Sequence, residues 1–247
     1  MSALELSAER TAEVLARGEL ELVGRMRYSS NGAFLVEAVL DDDVVPAVYK
    51  PRRGERPLWD FPDGTLCRRE VAACVLSDAL GWGVVPVTVL RADGPLGDGM
   101  VQRFVDHDPD EHYFTLLDGH EDRFRRFAVF DVLANNTDRK GGHCLRDLAA
   151  AGDAAIVGID HGLTFHPQWK LRTVIWDFAD EPVPADLLDD VARVADDLER
   201  GATGAALADL LSPPELAMLG VRAADLLHAG HFPAPDPGYH SVPWPLV

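Results

Sequence analysis

The sequence predicts an α+β protein with two lobes, in which an antiparallel sheet with one helix precedes a mainly helical half. Three observations support this. Short runs rich in β-branched residues alternate with polar turns in the first half, whereas apolar residues recur at helical spacing in the second. A polar, charged stretch at 106–111 separates the two patterns. Because 247 residues suffice for two small domains, we place the N-terminal lobe at 1–105 and the C-terminal lobe at 106–247.

Helix and turn signals place the elements of the N-terminal lobe in order. A short helix over 7–17 is closed by Gly18. Apolar spacing predicts a second helix over 63–81, with Asp63 as N-cap and Gly81 as C-cap. β-branched runs predict five strands, at 20–28, 33–40, 44–49, 84–90 and 99–105, with turns at 29–32 and 41–43. The first three strands are expected to form a meander.

Helices dominate the C-terminal lobe. Apolar residues at helical spacing predict helices over 121–135, 184–200 and 205–230. A short apolar run predicts one strand over 156–159. The last helix is interrupted where Ser212 suits the N-cap and Pro213 suits the first helical position. The proline-rich end, 232–247, is expected to lie extended on the surface with Trp244 as its anchor.

Composition excludes several classes of function. The chain has 41 acidic and 23 basic side chains and a net charge of −18, which would repel nucleic-acid phosphates and anionic lipids. No window is apolar enough for a signal peptide or a membrane span, so we expect a cytoplasmic protein without a stable membrane anchor. The three cysteines are odd in number and lack C-x-x-C spacing, which is typical of reduced thiols rather than of a disulfide framework. Scarce lysine and abundant alanine, aspartate and glycine are typical of a GC-rich bacterial genome.

Lys50 and Glu70 form the first candidate pair. Lys50 ends a strand, from which an ammonium group can reach inward to phosphate oxygens. Glu70 lies on the apolar stripe of the helix over 63–81, where a carboxylate is costly unless a cation meets it. We therefore expect Lys50 to pair with Glu70. A surface lysine and a solvated glutamate are the alternatives.

Two aspartates occupy tight turns in the second half. Asp138 follows a helix, and Asp160 lies between the short strand at 156–159 and Gly162. Metal-assisted phosphoryl transfer needs one carboxylate to orient the attacking hydroxyl and another to hold the ion. His143 lies five residues after Asp138 and can hold a metal or bond to Asp138. Each aspartate alone is equally compatible with an ordinary turn, but with Lys50 they indicate a kinase.

The order of these motifs resembles the phosphatidylinositol 3- and 4-kinase superfamily, in particular the type II phosphatidylinositol 4-kinases and their bacterial relatives. The overlap runs over about 29–176. The matching pieces are Ala47-Val48-Tyr49-Lys50-Pro51, Gln102-Arg103-Phe104-Val105, Phe130-Asp131-Val132-Leu133-Ala134-Asn135-Asn136-Thr137-Asp138-Arg139 and Ile159-Asp160-His161-Gly162-Leu163-Thr164-Phe165. The resemblance implies a two-lobed atypical protein-kinase-like fold with ATP bound between a nucleotide-binding lobe and a catalytic lobe.

The resemblance also implies a role for each matched residue. Lys50 would bind the α- and β-phosphates and Glu70 would hold it, while Asp138 would be the catalytic-loop aspartate and Asp160 a metal ligand. Asp131 would brace the catalytic loop from its helix. The turn of Ser29, Ser30, Asn31 and Gly32 would close over the triphosphate, and the strand of Gln102, Arg103, Phe104 and Val105 would contact adenine.

One departure from the family affects the metal. His143 stands where the family places asparagine as second metal ligand. Imidazole prefers softer ions than Mg²⁺, so Mn²⁺ or a single-metal arrangement is expected as an alternative to Mg²⁺. The basic residues beside Asp138, Arg139 and Lys140, either stabilise charge on the transferred phosphoryl group or are solvated.

The expected function is therefore transfer of the γ-phosphate of ATP to a hydroxyl group. Protein Ser/Thr, an inositol lipid and a small molecule all remain open as acceptor, and the sequence does not indicate an oligomeric state. Two alternatives keep the same fold. A nucleotide-binding pseudokinase with a regulatory role would have lost turnover through His143, and an adenylyl transferase would bind ATP in the reversed orientation.

Overall fold

The computed structural model describes residues 6–26 and 32–247. The helices and strands of its first half are α1 (Ala8–Arg17), β1 (Glu19–Arg25), β2 (Phe34–Leu40), β3 (Asp43–Pro51), α2 (Leu66–Leu80), β4 (Thr88–Gly94) and β5 (Gly97–Arg103). The five strands form an antiparallel sheet in the order β1-β2-β3-β5-β4. Val14 and Leu15 of α1 pack against Val36 and Val45 of the sheet.

The second half is mainly helical. Its elements are α3 (Tyr113–Leu116), α4 (Glu121–Ala134), β6 (Cys144–Arg146), β7 (Ile156–Gly158), α5 (Ala185–Arg200), α6 (Ala202–Ala208) and α7 (Pro213–Ala229). Its core is built around the fully buried rings of Phe124, Phe127 and Phe130 on α4. The two-lobed α+β architecture predicted from the sequence, a sheet half followed by a mainly helical half, is therefore present.

Helix α2 belongs to both lobes. Cys67 and Val71 pack with Met100 of β5, whereas Leu76 and Leu80 belong to the core that surrounds α4. A helix that is apolar on more than one side is buried between layers. The position of α2 therefore links the sheet to the helical half.

Capping chemistry set several boundaries as predicted. Helix α1 begins after Ser7, whose Oγ accepts from the Arg10 amide at 3.1 Å, and ends at Gly18. Helix α7 begins after Ser212 with Pro213 in its first turn and a capping box from Glu215. These signals are local in sequence, so the sequence was enough to place them.

The strand predicted at 84–90 is misplaced by four residues. Strand β4 starts at Thr88, because Val84 and Val85 are instead buried in the helical core. The Val84 carbonyl accepts from the Gly158 amide at 2.6 Å, which ties this segment to β7. An apolar run alone does not distinguish a strand from a buried connection.

The expected N-cap of α2 is also wrong. Asp63 is exposed, and the helix begins at Leu66 instead. The carboxylate of Glu55 accepts from the amides of Leu66 and Cys67 at 3.2 and 2.9 Å. Glu55 thus caps α2 from a different part of the chain, where its charge also suits the helix dipole.

The C-terminal segment is held by its backbone. The Leu246 carbonyl accepts from the Gly141 amide at 2.7 Å, and the Ser241 carbonyl accepts from Trp176 Nε1 at 3.0 Å. Trp244 is 86% exposed, so the prediction that it anchors the segment is wrong.

None of the helices within 6–26 and 32–247 has the length and apolar character that crossing a bilayer requires.

We predict that Glu55→Ala lowers the free energy of unfolding by about 1 kcal/mol, because two amides at the start of α2 lose their acceptor. The matched control, Asp63→Ala, should change it by less than about 0.5 kcal/mol. Urea unfolding followed by circular dichroism measures both. A cost for Asp63→Ala equal to that of Glu55→Ala would contradict this assignment of the cap.

Candidate active site

Lys50 brings two carboxylates together between the lobes. Its Nζ lies 2.5 Å from Oε1 of Glu70 and 2.8 Å from Oδ1 of Asp160. Lys50 lies on β3 opposite Met100 of β5, Glu70 lies on α2, and Asp160 follows β7. The pair predicted from the apolar stripe is thus formed, and Asp160 joins it.

The ionisation of this cluster follows from burial and mutual attraction. Burial alone lowers the pKa of Lys50, but Asp160 and Glu70 outweigh it and raise the net pKa. Lys50 in turn holds the pKa of Asp160 well below its usual range. Burial raises the pKa of Glu70, an effect that Lys50 opposes. The Lys50 ammonium and the Asp160 carboxylate are therefore charged at neutral pH.

His143 lies beside Asp160. Its Nε2 is 3.6 Å from Oδ2 of Asp160. Burial lowers the pKa of His143 to about 4, although Asp160 acts in the opposite direction. The ring is therefore neutral at pH 7, which is the state that binds a metal.

Asp160 has a φ of 61°, a left-handed conformation that aspartate tolerates better than most residues and that recurs at functional sites.

The chemistry of these two side chains, a carboxylate and a neutral imidazole, suits metal coordination. Within the described part of the chain, no group of three or more His, Cys, Asp or Glu side chains is arranged to hold an ion. Asp160 and His143 offer two ligands. Mg²⁺ in phosphoryl-transfer sites is commonly held by one or two protein carboxylates, with phosphates and water supplying the remaining ligands.

Asp138 lies in the loop between α4 and β6. The Asn136 side-chain oxygen accepts from the Asp138 amide at 3.0 Å, and Lys140 Nζ lies 3.0 Å from Asp138 Oδ2. Burial raises the pKa of Asp138 against the opposing charge of Lys140. Asp138, Asp160, Lys50 and Glu70 line one crevice, as the predicted convergence of these residues requires.

A buried network holds the Asp138 loop in place. The fully buried Asp131 carboxylate accepts from the Arg139 guanidinium at 2.9 Å and from Asn136 Nδ2 at 3.0 Å. Asp131 therefore braces the loop as the resemblance implied. Arg139 also contacts His161 Nε2 at 2.7 Å and is completely buried. It is therefore neither solvated nor available to a transferred phosphoryl group, so both alternatives expected for it are wrong.

The cleft between the lobes has a volume of about 520 Å³, which is in the range of small-molecule sites. The predicted adenine strand and the predicted phosphate and metal residues line it together: Gln102, Arg103, Phe104 and Val105 with Lys50, His143 and Asp160. The side-chain amide of Gln102 donates through Nε2 to Thr88 Oγ1 at 2.8 Å, so this side chain already has a partner. Ser29, Ser30 and Asn31 of the predicted phosphate loop lie outside the described residues. Gly32 is described and has a φ of 64°.

Sequence reasoning missed a second cavity, which we call the Asp138 cavity. It has a volume of about 490 Å³ and reaches Asp138. Its other walls include Trp59, Lys140, Lys170, Arg172, Tyr239 and Trp244. These residues are so far apart along the chain that no spacing pattern connects them.

Comparison with known proteins identifies the family. No family model matches the sequence. The chain is 42% identical over 267 aligned positions to protein Rv2133c of Mycobacterium tuberculosis, and the alignment covers 94% of each protein. The chain therefore belongs to the family of this mycobacterial protein.

Solved structures share the fold at low sequence identity. The Golgi casein kinase with Mn/ADP bound matches with a TM-score of 0.57 and 13% identity, over 90% of this chain and 75% of that chain. The Helicobacter pylori proinflammatory kinase CtkA matches with a TM-score of 0.51 and 14% identity, over 88% and 94%. Hydra Fam20 with sugar matches with a TM-score of 0.52 and 13% identity, over 90% and 87%. The chain thus has the fold of atypical kinases.

We predict that Asp131→Asn lowers the free energy of unfolding by about 3 kcal/mol, because it leaves the buried Arg139 charge without a carboxylate. The control is Asp122→Asn on the same helix, which removes an exposed partner of Arg125 and should cost less than about 0.5 kcal/mol. The double variant Asp131→Asn/Arg139→Met should recover part of the loss. Equal stability of Asp131→Asn and wild type in urea unfolding would refute this account.

Proposed function

We propose that the protein is an ATP-dependent phosphotransferase that moves the γ-phosphate to a hydroxyl group. The observation that carries this proposal is the convergence of Lys50, Glu70 and Asp160 beside the cleft between the lobes. A fold shared with a kinase that binds Mn/ADP adds support. The motif order that resembles type II phosphatidylinositol 4-kinases supports a relationship to that superfamily, which we also propose.

ATP would bind with its base towards β5 and its phosphates towards Lys50. The base would meet the backbone of 102–105, because the Gln102 side chain is held by Thr88. The Lys50 ammonium would contact the α- and β-phosphates, and its two carboxylate partners already fix its position. In this proposal 1–105 is the nucleotide-binding lobe, with 29–32 closing over the triphosphate, and 106–247 is the catalytic lobe of a cytoplasmic bacterial enzyme.

Asp160 and His143 would hold Mg²⁺ or Mn²⁺ together with phosphate oxygens. Such an ion, when bound, neutralises charge on the β- and γ-phosphates. Neutral His143 and charged Asp160 are in the protonation states that this role requires.

Asp138 would orient the acceptor hydroxyl and take its proton. As the acceptor oxygen forms a bond to the γ-phosphorus, the bond from that phosphorus to the bridging oxygen breaks and ADP leaves with the electron pair. Burial raises the pKa of Asp138, which favours proton acceptance. Most of the rate in phosphoryl transfer comes from positioning and charge stabilisation, and the bracing of the loop by Asp131 serves this positioning.

A catalytically weak pseudokinase is the second candidate, and the observation that favours it is His143. Where the superfamily has an oxygen ligand, this chain has a partly buried imidazole 3.6 Å from Asp160. Such a protein would bind the nucleotide and act by regulation.

We predict that Lys50→Ala and Asp160→Ala each lower γ-label transfer by at least about 100-fold, because each removes charge stabilisation at the phosphates. The control Arg17→Gln changes an exposed side chain of α1 and should leave transfer unchanged. The assay follows γ- and α-labelled ATP with a panel of inositol lipids, protein extracts and small metabolites. Transfer of the α-label would indicate an adenylyl transferase, and ATP binding with no transfer at all would indicate a pseudokinase. Either result refutes the kinase proposal.

Replacing His143 with asparagine tests the metal assignment. An amide oxygen suits Mg²⁺ better than imidazole does, so His143→Asn should raise the ratio of the rate with Mg²⁺ to the rate with Mn²⁺ by about tenfold. Steady-state rates at saturating concentrations of each ion measure this ratio. If the ratio is unchanged, His143 is not a metal ligand.

A further inference from the structure

The Asp138 cavity adjoins the cleft between the lobes. Lys140 borders both spaces, and Asp138 borders the Asp138 cavity and the crevice around Lys50. The remaining cationic and aromatic wall residues do not border the cleft; they are Trp59, Phe61, Lys170, Arg172, Tyr239 and Trp244. A hydroxyl compound in this cavity would therefore reach Asp138 without occupying the place of the nucleotide.

The cavity carries an unbalanced positive charge. Lys140 is paired with Asp138 at 3.0 Å, and Lys170 is paired with Asp60 at 2.8 Å. Arg172 also lines the cavity, and it forms no ion pair with any carboxylate in 6–26 or 32–247. In a protein with a net charge of −18, an unpaired guanidinium beside the catalytic loop indicates an anionic ligand.

Arg172 is held in place by its backbone, and within the described ranges 6–26 and 32–247 its guanidinium makes no hydrogen bond. Its amide donates to the Asn136 carbonyl at 2.8 Å, and its carbonyl accepts from the Arg139 amide at 3.0 Å. The guanidinium lies 5.0 Å from the centre of the Tyr239 ring. Its Nε is buried and has no hydrogen-bond partner among the residues described. An unsatisfied buried donor is costly, and a guanidinium fits a phosphate or carboxylate with two parallel hydrogen bonds.

The walls also offer apolar contact area. Trp59 and Trp244 are 92% and 86% exposed, and both border the cavity. Aromatic rings beside a few polar groups are typical of pockets that bind small molecules, in which the rings cover the carbon skeleton.

We propose that the Asp138 cavity binds the acceptor, and that this acceptor is a small polyhydroxyl compound whose phosphate or carboxylate group pairs with Arg172. This rests on the proposed phosphotransferase function, because it places the reacting hydroxyl at Asp138. The hydroxyl proton goes to Asp138, and the new bond joins the hydroxyl oxygen to the γ-phosphorus as ADP leaves. Arg172 binds the anionic group and takes no part in the bond changes.

Binding without ATP tests the site independently of turnover. Calorimetric titrations compare each anionic compound with its neutral counterpart. The phosphate pairs are glycerol 3-phosphate with glycerol, glucose 6-phosphate with glucose, and myo-inositol 1-phosphate with myo-inositol. The carboxylate pair is gluconate with glucose. At least one anionic compound should bind wild type ten times more tightly than its neutral counterpart. Arg172→Gln should abolish that difference, whereas Arg200→Gln, on the exposed end of α5, should keep it. The phosphate and carboxylate arms show which anion is preferred.

Thermal unfolding of Arg172→Gln checks that the variant is folded, and Arg172→Lys supplies a second variant that keeps the charge but loses the paired geometry. Arg172→Lys should bind with intermediate affinity. The proposal is overturned if no anionic compound binds more tightly than its neutral counterpart, or if Arg172→Gln binds like wild type.

Labelled ATP separates this proposal from the proposed function. With γ-label, Arg172→Gln should raise the KM for the anionic acceptor at least tenfold while leaving the KM for ATP unchanged. Anion binding at Arg172 without any γ-label transfer would refute the phosphotransferase and the acceptor role but retain the anion site. Transfer to a neutral compound or to a peptide, independent of Arg172, would retain the phosphotransferase and refute the acceptor class.

Discussion

The ion cluster around Lys50 is the constraint on which the rest of the structure depends. The side chains of Lys50 and Glu70 are only 17% and 3% exposed, and charges removed from water are tolerated only when each has a close partner. Asp160, whose side chain is 42% exposed, is the second partner of Lys50. Lys50 comes from the sheet, Glu70 from α2 and Asp160 from the turn after β7. These three elements must therefore keep one relative position, and that position sets the width of the cleft.

Glu70 connects this cluster to the loop that carries Asp138. One of its oxygens accepts from Lys50, and the other accepts from the His161 amide at 2.8 Å. The His161 ring contacts Arg139, and Arg139 is held by Asp131 on α4. A continuous series of polar contacts thus runs from β3 to α4, so the positions of Asp138 and Asp160 depend on the same buried groups.

A second buried contact supports the same arrangement from the far side of α2. Arg69, the residue that precedes Glu70, forms an ion pair with Glu215 at the start of α7. Nη1 of Arg69 donates to the Thr164 carbonyl at 2.5 Å, close to the turn that carries Asp160. Helix α2 thus forms an ion pair with each lobe, through Glu70 to Lys50 and through Arg69 to Glu215. Its apolar residues likewise pack into both cores.

The sequence by itself determined the helices with strong caps, the change from sheet to helix, and the residues Lys50, Glu70, Asp138, Asp160 and His143 as a set. The caps are local patterns that local energetics determine, whereas the site residues were identified by the order of their motifs along the chain, which resembles that of a known superfamily. Only the tertiary structure decided that Glu55 rather than Asp63 caps α2, that Arg139 is buried on Asp131, and that Arg172 borders a cavity with Trp59 and Trp244. None of these contacts follows from helix or turn spacing: Arg139 lies 8 residues from Asp131 and Glu55 lies 12 residues from Cys67. Packing chooses each partner among several of the same chemical type that the sequence leaves equivalent.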